Sequence, residues 1–158
     1  MPDHLREELG KLLDQYDERR RATQEREDKA RDADALFVAG FAELRKSVIR
    51  PAFEAAAAML AERGHQARIE EQEFSVDAGA KATEAAIALH IVPSGAPAAS
   101  REGGPRTLSI STRHYNKMVL VNTGRPLEGS KGTYPLEKID RHLVEEELIR
   151  FVAGVVAG

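Results

Sequence analysis

Five histidines, at positions 4, 65, 90, 114 and 142, are the side chains best suited to proton transfer or metal ligation near neutral pH. None stands in an HxH or HExxH spacing, so the sequence holds no metal-ligand pattern. His90 lies between Leu89 and Ile91 in an alternating run and reads as a hydrogen-bonded strand histidine. His65 follows the glycine that closes a helix, an ordinary place for a polar residue. His114 differs in context, because Arg113-His114-Tyr115-Asn116-Lys117 gathers polar groups at the tip of a hairpin.

Residues 99–131 contain six bases and two acids, a local net of +4. Arg106, Arg113, His114, Tyr115, Lys117, Arg125 and Lys131 therefore form the candidate ligand or partner surface. Its chemistry suits an anionic small molecule or an RNA strand, with Tyr115 offering a ring for stacking. The whole chain argues the other way: 23 Lys and Arg against 26 Asp and Glu, only three tyrosines and no tryptophan. Nucleic acid is not an expected partner. The segment from Gly124 to Lys131 has the outline of a phosphate-binding loop, but Ser130 and Lys131 are inverted and Thr133-Tyr134-Pro135 leads into extended chain rather than a helix. It reads as a connecting loop.

The carboxylates do not converge. Glu145, Glu146 and Glu147 sit about 100° apart around a helix, and Glu70 and Glu71 point to opposite faces of a strand. With no cysteine, thiol nucleophiles, Cys-ligated zinc, iron–sulfur clusters and disulfides are all excluded. No nucleophile-elbow sequence is present. We assign no catalytic residue, no metal and no cofactor.

The elements that would position these residues are read from hydrophobic period. Leu5, Leu9, Leu12 and Tyr16 recur at intervals of 4, 3 and 4, the spacing of a coiled-coil seam, with Leu13 beside them. The same register then meets Arg19, Thr23 and Arg26, so the seam is short. Residues 17–34 hold seven acids and six bases, with Glu25 four before Lys29 and Glu27 four before Arg31, a solvated helix. An apolar stripe from Leu36 to Leu60 marks a second helix, kinked or broken near Val48–Arg50 by Pro51 and ended by Gly64. Whether the chain breaks at Asp32–Asp34 stays open.

After Gly64 the period becomes two. Strands are expected over Ala67–Val76 with a bulge, Thr83–Val92, Arg106–Ser111, Tyr115–Asn122 and Thr133–Leu136, with a mobile Pro/Gly/Ala/Ser loop at 93–105. Asp140 caps a final helix, and Ile139 and Val144 are placed as a hydrophobic staple. Nothing helical lies between the strands, so the sheet must be antiparallel. The predicted fold is α+β: a two-layer sandwich of a four- to five-stranded antiparallel sheet with helices on one face, plus a long N-terminal helical extension. The predicted division is 1–34, a charged dimerisation arm about 45 Å long, and 35–158, the α+β domain.

With 158 residues, 42% of them hydrophobic and 31% charged, the chain can bury a real core. No run approaches the ~18 apolar residues of a membrane span, and the polar, acidic start does not read as a signal peptide. A cytoplasmic protein without membrane contact is expected. The apolar end of the arm (Leu5, Leu9, Leu12, Leu13, Tyr16) needs cover, and a second copy is its simplest source. The expectation is a homodimeric, non-enzymatic protein-interaction or assembly module, adaptor- or chaperone-like, with a protein partner not named by the sequence.

Overall fold

The computed structural model describes residues 3–79, 81–95, 106–123 and 130–157. The fold is α+β, with a long N-terminal helix and a five-stranded antiparallel sheet. The chain divides into two compact units, Met1–Leu36 and Phe37–Gly158. The first is helical throughout its described residues. Helix α1 (Asp3–Leu44) runs through Asp32–Asp34 without a break.

In the second unit α1 is followed by a π-turn, Arg45–Ile49, and by α2, Arg50–Glu62. Pro51 explains the turn. It carries no N–H and its ring crowds the carbonyl four residues back, so the regular ladder cannot continue across it. The chain widens instead, and the Arg50 amide donates to the Arg45 carbonyl, five residues earlier. The expected kink is thus a local widening. At its other end α2 closes as expected: Gly64 takes φ 86°, the His65 amide reaches the Leu60 carbonyl and the Gly64 amide the Ala61 carbonyl.

Among the described residues seven strands follow: β1 (Gln66–Gln72), β2 (Ser75–Val76), β3 (Ala82–Thr83), β4 (Ala86–Val92), β5 (Arg106–Arg113), β6 (Met118–Thr123) and β7 (Ser130–Pro135). The main sheet has the order β1-β4-β5-β6-β7, and β2 pairs with β3 in a small ribbon. The single bulged strand expected over 67–76 is two strands, parted at Glu73 and Phe74. Register places Ile87 opposite Ile110 and Leu89 opposite Leu108, with Val121 next across the ladder from Ile110. One face of the sheet is therefore a continuous aliphatic surface.

These side chains join Phe37, Phe41, Ile49, Phe53 and Leu60 from the α1–α2 segment, and Val144, Leu148, Phe151 and Val155 from α3 (Arg141–Ala157), in one hydrophobic cluster. Asp140 caps α3, its Oδ1 accepting the Leu143 amide at 2.8 Å. Ile139 and Val144, the two staple residues, are both buried. Among the described residues, no helix is long and apolar enough to cross a membrane.

Candidate functional site

Two places in the described chain combine chemistry with exposure. The first is the β5–β6 hairpin. Its four-residue loop, His114–Lys117, ends on Lys117 with φ 56°, the only described non-glycine residue in the left-handed region. Such a residue lets four residues reverse a twisted strand. Asn116 supports it by accepting the Met118 amide, and the Lys117 ammonium donates to the His114 carbonyl at 3.1 Å.

Glu84, which lies just before β4, is the residue that organises this tip. Its carboxylate accepts from His114 Nδ1 at 2.9 Å, from the His114 backbone amide at 3.2 Å, and from the Thr112 hydroxyl at 3.0 Å. The Thr112 hydroxyl in turn accepts the buried Ala85 amide at 2.9 Å. A carboxylate on Nδ1 fixes the ring and directs Nε2 away from the pair. Phe74 and Tyr115 meet the imidazole edge-on, at centroid distances of 5.4 and 6.0 Å. The arrangement is a hydroxyl, a carboxylate and an imidazole in series. It lacks an activated nucleophile, because Thr112 is 1% exposed and its hydroxyl bonds into the backbone.

The structure distributes the sequence-derived surface unevenly. Arg113, His114, Tyr115 and Lys117 share the hairpin tip. Arg106 stands at the opposite end of β5, seven residues or about 24 Å away, and its guanidinium caps the last turn of α3 by donating to the Gly154 carbonyl. Arg125, the glycine-rich segment 124–129 and the Lys131 side chain lie outside the described residues, as do positions 96–105 of the loop expected at 93–105. His90 is held on both nitrogens, by Thr107 at 2.7 Å and Glu70 at 2.8 Å. His65 Nδ1 accepts the Ser94 amide. Among the described residues, no three His, Asp or Glu side chains gather as a metal site.

Sequence reasoning missed Glu84 and Arg45. Arg45, in the π-turn, is 7% exposed. It donates to the Gln72 and Ala86 carbonyls at 3.1 and 3.4 Å and pairs with Glu73 at 2.7 Å and Glu71 at 3.6 Å. Arg50 shares Glu71 and adds Glu54, whose hydrogen bond is the main reason its guanidinium is held above its already high value. This network ties the helical segment to the edge strand β1. It is a structural latch, since both Nη atoms of Arg45 are hydrogen-bonded within the fold and Nε faces Glu71.

The second place is α1 within the first unit. Leu5, Leu9, Leu12, Leu13 and Tyr16 are between 43% and 62% exposed. Five large apolar side chains lie open within twelve residues, on a helix whose remaining residues are mostly charged. Comparison with protein-family models, curated proteins and solved structures finds no match to this chain.

Proposed function

We propose that this protein is an interaction module that works as a homo-oligomer, associating through the Leu5–Tyr16 stripe of α1. One observation carries the reading: four apolar side chains recur at seam spacing with Leu13 beside them, and all five stand exposed on a single chain. Scattered exposed leucines are ordinary, but a run at heptad spacing is the pattern that a second helix buries. The charged residues that follow keep the rest of the helix in water and confine association to its first four turns. A cytoplasmic setting fits the reading, since a chain with no cysteine needs no oxidising compartment.

Light scattering at micromolar concentration tests it. The expected mass is about twice 17.4 kDa or more. Replacing Leu9 and Leu12 together by Asp should return the 17.4 kDa monomer with the strand signal in circular dichroism unchanged. A monomeric parent protein refutes the proposal.

A further inference from the structure

The seam also carries a direction. Resting on the homo-oligomer reading, we infer that the partner helix is a second copy of residues 5–16 running antiparallel. Leu5, Leu9, Leu12 and Tyr16 are mirror-symmetric about the point between residues 10 and 11. A reversed copy therefore sets Leu5 against Tyr16 of its partner and Leu9 against Leu12, four complete layers, the two outer ones pairing the large Tyr16 with the smaller Leu5. Knobs-into-holes packing needs apolar residues at these facing positions.

Charge separates this from the parallel alternative. The next two seam positions toward the C-terminus that carry charge are Arg19 and Arg26. In a parallel, in-register pair each guanidinium would face its own copy across the seam, immediately after the apolar layers. In the antiparallel pair the overlap stops at Tyr16, and both arginines stay in water beyond the partner's first turn. The flanks agree. Leu13 falls beside Arg6 of the partner, whose aliphatic stem can cover it while its charge stays solvated. In the parallel pair Leu13 would instead face the carboxylate of Glu8. Gly10 stands next to the centre of the overlap, with nothing within 4 Å of the position its Cβ would take.

Because the chain has no cysteine, a single spin label at Asp32→Cys reads the direction directly. Asp32 is exposed and lies well outside the overlap. In the antiparallel pair the two labelled positions are 43 residue steps apart along the axis, about 65 Å at 1.5 Å per residue. In a parallel pair their backbones are separated only by the distance between helix axes, about 10 Å. A long distance in double electron–electron resonance supports the inference. A short distance in a protein of dimer mass overturns the direction and leaves the oligomer standing, whereas a monomer mass overturns both. Mixing a Leu5→Cys chain with a Tyr16→Cys chain gives an independent reading. Under oxidation the antiparallel pair yields a mixed disulfide, and a parallel pair, with these positions about 16 Å apart along the axis, yields none.

Discussion

Arg45→Met tests whether the π-turn latch holds the helical segment to the sheet. Methionine retains much of the aliphatic stem, so the change chiefly removes the guanidinium. Two carbonyls, of Gln72 and Ala86, lose the donor that reaches them in a part-buried setting. A hydrogen bond from a charged donor contributes about 1.5–3 kcal/mol. The carboxylates add little, because Glu73 is 75% exposed and Glu71 keeps Arg50 at 3.2 Å. The expected loss is about 2–4 kcal/mol, since the longer contact to Ala86 counts for less than the shorter one to Gln72. For a chain of this size that lowers Tm by roughly 4–16 °C. Urea denaturation gives the free energy, and amide exchange locates it: β1 should lose protection before β5 and β6. Arg50→Met, at a half-exposed position, should leave the midpoint nearly unchanged. A midpoint for Arg45→Met within about 0.5 kcal/mol of the parent, with β1 still protected, would refute the latch.

Thr112→Val keeps shape but strands the buried Ala85 amide, and should cost about 1–3 kcal/mol in the same urea assay. Gly10→Ala should stabilise by about 0.5–1 kcal/mol, seen as a higher thermal midpoint of the helical signal, because the added Cβ meets open space. Gly40→Ala should gain less or lose, since its Cβ would sit 2.6 Å from Leu136 Cδ2 and that side chain must move. Duplex DNA and single-stranded RNA should show no binding by fluorescence anisotropy at 150 mM salt, given the net charge of -3. Micromolar RNA affinity lost on changing Arg113 and Lys117 to Ala would promote the hairpin tip to a polyanion site.

The local rules were legible wherever one residue decides the outcome. Gly64 ends a helix because glycine tolerates positive φ, and Asp140 starts one because its carboxylate accepts an amide of the first turn. The antiparallel direction of the strands followed from the absence of helices between them. What stayed hidden depends on register between distant segments. Glu84 meets His114 across 30 residues, and only the pairing of Ala86 with Ser111 brings the ends of β4 and β5 level. The basic residues of 101–131 looked like one surface because they are near in sequence. A strand of eight residues instead carries Arg106 and Arg113 to opposite ends.

Arg45 was hidden for a different reason: a charged residue inside an apolar stripe reads as an interruption. The spacing itself held the signal. Phe37, Phe41, Arg45, Ile49 and Phe53 recur at intervals of four, and all five are buried. At 100° per residue each interval overshoots a full turn by about 40°, so a regular helix would carry Phe53 about 160° away from Phe37. The widened turn at Arg45–Ile49 absorbs about one residue, or 100°, of that drift and keeps the row facing the same core. Pro51 makes the widening cheap, because the amide that a regular helix would have used at that position does not exist. One proline thus fixes which face Phe37 and Phe41 present, and it also sets the guanidinium of Arg45 against the carbonyls of Gln72 and Ala86.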